Sequence, residues 1–390
     1  MRQKRNRIRR FFWAGLLGLW VFFGLPAVVS ASETGLNEEI ADLQQELLGE
    51  LDLEEIDRAL QAGEGTEGLS FREVLDQILE ADGELFSRGI LRELAAGAFS
   101  DLSRSKDLLV QILILTVAFS FFHHFMNLFE NSQISKTGFY LYFLILMVLL
   151  MRSYLLMDQL LQQVLEQLVE VMQAVIPAFC MTMVFASAQT TAAVFYQISL
   201  AVIWLVERLL CYVVAPGIHI YVVLQMLNYM TGERMISRFT RLLKQAIRWS
   251  LRFMLAGVTG MNVIENMIAP SVDNLKKMSI TKTLGMIPGL GGTAEAVSDI
   301  FLGSAAVIKN GVGAAAMVIL MALMLGPVIK MLIFAVFYRL AGAVVQPFAD
   351  KNVCGCIESV GEGAGLLLQT LVTAALLFLI TIAIVITAVR

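Results

Sequence analysis

From Leu108 to the C-terminus, apolar runs of near-membrane length follow one another, and this succession constrains the fold more than any other feature. The runs lie near residues 108–126, 138–157, 174–190, 192–208, 211–230, 253–269, 312–329, 331–346 and 364–389. A transmembrane helix needs about 20 apolar residues, so the shorter runs could tilt, re-enter or pair. We therefore predict an all-α, polytopic transmembrane helical bundle with about seven to nine spans.

The composition agrees with this class, with 57% hydrophobic residues, 16% charged residues and a mean hydropathy of +0.73. Soluble globular proteins are roughly 45–50% apolar and about 25% charged. The charge is unevenly distributed, because 20 of the 33 acidic residues lie between Glu33 and Asp107, among only six Lys or Arg residues. A small acidic region is therefore attached to a much larger hydrophobic one.

The N-terminus has the parts of a secretory signal. A basic segment ends at Arg10, residues 11–29 are apolar, and small residues precede a cleavage point before Ser32. We predict that residues 1–31 are a signal peptide, or an uncleaved first span because the apolar segment is longer than usual. Either way the basic end stays in the cytoplasm and the chain from Ser32 onward is exported.

Residues 32–107 form the predicted acidic extracytoplasmic region. Leucine and isoleucine recur there every three or four residues, with Glu and Asp between them, which is typical of amphipathic helices. We expect a small helical cap on the outer membrane face, and a role in binding a partner stays open. Residues 108–390 form the predicted transmembrane helical domain.

One basic segment, 233–252, sets the predicted orientation of the chain. Apolar residues occupy the opposite side of this helix, which predicts that it lies among lipid headgroups with its bases toward water, anionic lipid or a partner. The positive-inside rule puts it in the cytoplasm, in agreement with an exported N-terminal region. The bases fall within about 120° of one another on a helical wheel and are Arg234, Arg238, Arg241, Lys244, Arg248 and Arg252.

Ionisable residues within membrane spans are costly and often functional, and Lys309 is the strongest candidate. Small residues surround it from Gly303 to Gly313, so close helix packing would place its charge inside a bundle. The glycine-rich stretch 285–292 lacks the Lys-Ser/Thr of a phosphate loop, which leaves a flexible turn or a pore-lining element. We predict a polar path or gate that includes Lys309, its acidic partner candidates Glu265 and Asp299, and Gly289, Gly291 and Gly292.

The sequence contains no nucleophile elbow and no metalloprotease helix, and its four cysteines and three histidines lack metal-site spacing. We expect no enzymatic activity, no cofactor and no nucleic-acid partner.

Several short motifs rich in glycine, proline and small residues lie at residues 269–273, 287–292, 303–306, 309–313, 326–330 and 341–347. With them, the chain resembles, over nearly its full length, the stage III sporulation protein AE family of endospore-forming bacteria. The resemblance implies a multi-pass protein of the mother-cell membrane around the forespore. It also implies partnership with other proteins of the stage III sporulation A operon, including a cytoplasmic ATPase and a ring-forming member, and indirectly with the forespore-side stage II sporulation protein Q.

The function that we expect is that of a non-enzymatic subunit of a multiprotein channel or secretion-like apparatus. Two other functions stay open, an autonomous secondary transporter and a structural membrane scaffold. The residues do not identify the cargo, the number of copies in a complex, or whether this chain lines the pore.

Overall fold

The computed structural model describes residues 48–49, 51–61, 70–80, 110, 114, 117–118, 132–186, 189–230, 236–284, 291–346 and 351–388. The predicted signal segment and most of the predicted acidic region lie outside these residues. Within the described part of the chain the fold is all-helical, without strands, as the sequence predicts. The helices are α1 (Leu53–Gln61), α2 (Phe71–Glu80), α3 (Ser132–Phe185), α4 (Gln189–Leu205), α5 (Ala215–Met230), α6 (Ser237–Leu284), α7 (Gly291–Val345) and α8 (Lys351–Ala388).

Four helical stretches in the described part are long and apolar enough to cross a membrane, namely Tyr140–Phe185, Gln189–Met230, Phe301–Val345 and Lys351–Ile384. The predicted count of about seven to nine spans is therefore not confirmed. Apolar runs that the sequence separates are joined into one helix. The run 138–157 and the part of 174–190 up to Phe185 lie within α3, and the run 312–329 and the part of 331–346 up to Val345 lie within α7. The residues between the α3 runs are mainly Leu, Gln, Glu, Val and Met, most of them good helix formers, so the helix continues through them.

A π-helix, Val206–Val214, joins α4 to α5 without breaking the helical run. The Ala215 N–H donates to the carbonyl of Leu210, five residues back. Pro216 follows at once, and a proline ring would clash with the carbonyl four residues before it in an ordinary α-helix. The wider π turn relieves that clash, so the sequence pairs a helix-breaking residue with a local change of helix type.

Glycines in the N-terminal half of α8 allow two neighbouring helices, α3 and α5, to approach it closely. A Cβ atom at Gly355 would overlap the ring of Tyr229, and one at Gly363 would overlap Val222 and lie 3.1 Å from the Tyr154 ring. The helix can therefore pack against α3 and α5 only because these positions have no side chain. The α7–α8 pair forms the most extensive helix–helix contact among the described elements.

Two contacts fix the alignment of α3 with α8. Gly363 lies against Tyr154 at one level, and Gly313 of α7 faces both Phe179 and Ile386 at another. Residues 154–179 of α3 therefore run beside residues 363–386 of α8. A Cβ atom at Gly311 would meet Leu75 and Leu79, so α2 packs at the Ile386 end of the bundle.

Candidate functional site

Three side chains from α5, α6 and α8 form a polar cluster at the opposite end, which we call the Lys244 cluster. The ammonium of Lys244 lies 2.6 Å from a carboxylate oxygen of Glu362, and the Tyr221 hydroxyl donates to the same carboxylate at 2.5 Å. The Lys244 ammonium also lies 5.6 Å from the centre of the Tyr221 ring. The three groups satisfy one another where three helices meet, so they fix the relative position of those helices.

The Lys244 cluster forms one wall of an open cleft of about 360 Å³. The lining is polar and comes from the end of α5, the start of α6 and α8. It consists of Tyr221, Gln225, Asn228, Tyr229, Ser237, Thr240, Arg241, Lys244 and Glu362. Asn228 also accepts a hydrogen bond from the Ile236 backbone N–H at 3.4 Å, which ties the start of α6 to α5.

The predicted basic stripe occupies one of three faces of α6. Arg238, Arg241, Arg248 and Arg252 are exposed, Lys244 turns partly inward to Glu362, and Arg234 lies outside the described residues. A second face is buried, with Ile247, Leu251 and Met254 against the bundle. The third face is apolar but exposed, and its largest members are Phe239, Leu242, Trp249 and Phe253.

Lys309 lies inside the bundle with a fully buried side chain. Its ammonium donates to the backbone carbonyl of Ile386 at 3.5 Å. The last carbonyls of a helix have no partner within it and carry a partial negative charge. The positive charge of Lys309 therefore stabilises the carboxyl end of α8. Partnership of Lys309 with Glu265 or Asp299 stays a prediction, because those two side chains lie outside the described part.

A model of one protein family matches residues 69–389 of the chain, under the description stage III sporulation protein AE. The chain belongs to the stage III sporulation protein AE family. The match covers all four membrane-length stretches and α2. This protein of the stage III sporulation AE family is thus a sporulation-related membrane protein.

A curated relative agrees with the family assignment. The stage III sporulation protein AE of Bacillus subtilis (strain 168) is 22% identical over 392 residues, which cover 98% of each chain. No solved structure matches. The helix arrangement therefore has to be interpreted from its own contacts.

The residues of the predicted polar path are not brought together by any described contact. Gly289 lies outside the described residues, and Gly291 and Gly292 begin α7. The role of this set as a gate stays a prediction. The sequence-based predictions do not include Glu362 as the partner of Lys244. A signal was present, because Glu362 is the last charged residue before the uncharged run to Val389, and isolated charges at membrane boundaries often have specific partners.

Proposed function

We propose that this chain is a non-enzymatic membrane subunit of a multiprotein transenvelope apparatus between mother cell and forespore. The observation that supports this most is the family match over residues 69–389, the region that also contains the membrane-length helices. Within the described residues no group of three or more His, Cys, Asp or Glu side chains could hold a metal ion. A subunit of this kind obtains its driving energy from a partner.

The proposed partners are the other proteins of the stage III sporulation A operon. A cytoplasmic ATPase would supply energy, a ring-forming member would continue the conduit outside the membrane, and the forespore-side stage II sporulation protein Q would be joined indirectly. The exposed bases of α6 offer an electropositive surface for anionic lipid or for an acidic partner at one end of the bundle.

The proposed location is the mother-cell membrane around the forespore, with the N-terminal region outside the cytoplasm. The positions of α2 and of the Lys244 cluster support this orientation. α2 packs near Gly311 at the Ile386 end, whereas Lys244 meets Glu362. Glu362 and Ile386 are 24 residues apart on α8, which corresponds to about 36 Å, close to the thickness of a bilayer core.

Purification from sporulating cells in mild detergent tests the proposal. We expect the full-length chain to be recovered in a large complex of fixed stoichiometry that contains the operon's ATPase. The matched control is the same purification from cells that lack the ATPase. The complex recovered there should be smaller by the mass of the ATPase.

A monodisperse single chain that transports a solute after reconstitution in liposomes would contradict the proposal and favour an autonomous transporter. A stable complex whose reconstituted form passes no solute under any energised condition would favour a structural scaffold.

A further inference from the structure

Every exposed side chain of α3 between Leu156 and Pro177 is polar. At 100° per residue these side chains fall within a sector of about 100°, and the opposite face, with Leu161, Leu165 and Leu168, is fully buried. We call this sector the polar stripe. It consists of Gln159, Gln162, Gln163, Glu166, Glu170 and Gln173.

The depth of the polar stripe follows from the alignment of α3 with α8. Tyr154 lies beside Gly363, and both Phe179 and Ile386 face Gly313, so the stripe runs beside the middle of residues 363–386. That part of α8 contains no charged residue and measures about 35 Å, enough to cross the roughly 30 Å hydrocarbon core of a bilayer. Glu166 and Glu170 therefore lie near mid-membrane on the outer surface of the bundle.

The neighbouring helix shows what a lipid-facing surface looks like at the same depth. α4 and α5 run antiparallel to α3, since Cys180 contacts the carbonyl of Ala192 and Tyr154 packs on His219. Trp204 lies about midway between these contacts and is 62% exposed. An exposed apolar side chain is stable in contact with lipid hydrocarbon. Two exposed carboxylates at the same depth would be strongly unfavourable there.

The π-helix adds further polar groups next to the stripe. Glu207 and Arg208 are exposed there, and Cys211 is within electrostatic reach of both Glu166 and Glu207. Polar surface therefore continues from α3 onto the adjoining helix at the same level. Ionisable side chains at membrane depth face water or protein rather than lipid.

We propose that the polar stripe of α3 lines a water-filled path through the membrane. This inference rests on the proposed function as a membrane subunit of a conduit and adds which surface of the chain faces its lumen. Because the stripe lies on the outside of this bundle, neighbouring molecules supply the remaining walls. The stripe contains two carboxylates and four amides, and the adjoining Glu207 and Arg208 cancel in charge, so the surface is net negative. Rings of acidic side chains favour cations. The path should therefore admit cationic and neutral polar solutes in preference to anions.

Cysteine accessibility in the full-length protein tests the proposal. The four natural cysteines, Cys180, Cys211, Cys354 and Cys356, are first replaced by serine or alanine. Single cysteines are then placed at Gln163 and Gln173, with Leu200→Cys as the matched control, because Leu200 is exposed on α4 at about the level of Gln173 and lies two turns before Glu207. In membranes of sporulating cells, Q163C and Q173C should react with a membrane-impermeant methanethiosulfonate, while L200C should stay unreactive. Protection of both stripe positions to the level of L200C would overturn the proposal.

The charge of the reagent tests the predicted selectivity. Q163C should react severalfold faster with a trimethylammonium reagent than with a sulfonate reagent, after correction for their rates with a free thiol. Adding Glu166→Gln and Glu170→Gln should remove most of that preference and leave reactivity with a neutral reagent unchanged. An equal preference with and without the two carboxylates would overturn the cationic selectivity.

Purification of the same cysteine variants distinguishes a failure of the water-lined surface from a failure of the proposed subunit function. If the variant chains still purify in the large complex while Q163C and Q173C are protected, the water-lined surface is wrong and the subunit function stands. If the operon's ATPase does not copurify while both cysteines react, the subunit function is wrong and the water-lined surface stands, with other copies of this chain as its walls.

Discussion

At the scale of single residues, the bundle depends on positions where a side chain is absent. Gly363 lies where α8 meets Val222 of α5 and Tyr154 of α3, and both neighbours are fully buried. Neither can rotate into free space, so an added methyl group has to displace packed atoms. Gly303 on α7 is the reverse case, because a Cβ atom there would meet nothing within 4 Å.

Gly363→Ala should therefore destabilise the protein by about 1–3 kcal/mol, the usual cost of overpacking a core. Gly303→Ala is the matched control and should stabilise it by about 0.5–1 kcal/mol, because alanine is the better helix former. The midpoint of thermal unfolding in one detergent measures both. Equal shifts in the two variants would contradict the tight packing around Gly363.

Lys309 combines a structural role with a predicted functional one. Lys309→Met keeps the length of the side chain and removes the charge from the end of α8. We expect stability to fall by about 1–2 kcal/mol, since a charge at a helix terminus contributes up to about 2 kcal/mol. We also expect the variant to insert and accumulate, yet to impair sporulation after engulfment, as a gate residue would.

Lys330→Met, at a partly buried position of the same helix, is the control for a general effect of losing a base. Immunoblotting and spore counts are the two measurements. Normal accumulation of the Lys309 variant together with wild-type spore counts would show that Lys309 stabilises α8 and has no part in a gate.

At the scale of helices, the sequence predicts the kind of element better than its extent. The leucine and valine pattern around residues 158–173 is typical of an interfacial amphipathic helix or of a helical extension of its neighbour, and in α3 the segment is such an extension. The continuity of α3 is harder to predict. A drop in hydropathy along the sequence occurs at the end of a membrane span, and it also occurs where one long helix has a polar sector. The alignment of Phe179 and Tyr154 with α8 distinguishes the end of a span from a polar sector of one long helix.

The Lys244 cluster shows the same limit for sites. The bases of α6 are evident from their 3-4 spacing, but the partner of Lys244 is 118 positions further along the chain, at Glu362. No local pattern relates the two residues.

The sequence predicts a single apolar side for α6, and that side includes the third face, where Phe239, Leu242, Trp249 and Phe253 are exposed. The split of that side into a buried and an exposed face follows from packing against α5 and α8.

The basic stripe of α6 gives a prediction at this scale. Each base near an anionic surface contributes on the order of 1 kcal/mol, so replacing Arg238, Arg241 and Arg248 with Gln should sharply reduce the anionic lipid retained by the purified protein. Quantifying phospholipids after delipidation with mixed detergent micelles measures this, and the difference should narrow as salt is raised.

The matched control places Gln at Arg58 and Arg72, two exposed bases on α1 and α2. This variant should retain anionic lipid as the unchanged protein does. Retention that falls equally in both variants would mean that total charge matters rather than the position of the stripe, and unchanged retention in the α6 variant would leave the stripe as a topology signal only.

At the scale of the whole molecule, the bundle has two chemically different ends. One end holds the exposed bases of α6 and the Lys244 cluster, and the other holds Lys309, the end of α8 and the packed helix α2. Bases are retained on the cytoplasmic side of membrane proteins, whereas an acidic region that follows a signal segment is exported. The sequence therefore predicts one orientation, and helix packing places α2 and the Lys244 cluster, which that prediction assigns to opposite sides of the membrane, at opposite ends of the bundle.

Labelling from outside the cell tests that orientation on a chain without its natural cysteines. A cysteine at Gly65, between α1 and α2 in the sequence, should react with an impermeant maleimide in protoplasts, because we predict that this segment is exported. A cysteine at Ser237, at the start of α6, should react only after lysis, because the bases around it remain in the cytoplasm. The Ser237 variant is thus the internal control for intact membranes. Labelling of Ser237→Cys in intact protoplasts with protection of Gly65→Cys would invert the molecule and place the Lys244 cleft outside, out of reach of a cytoplasmic ATPase.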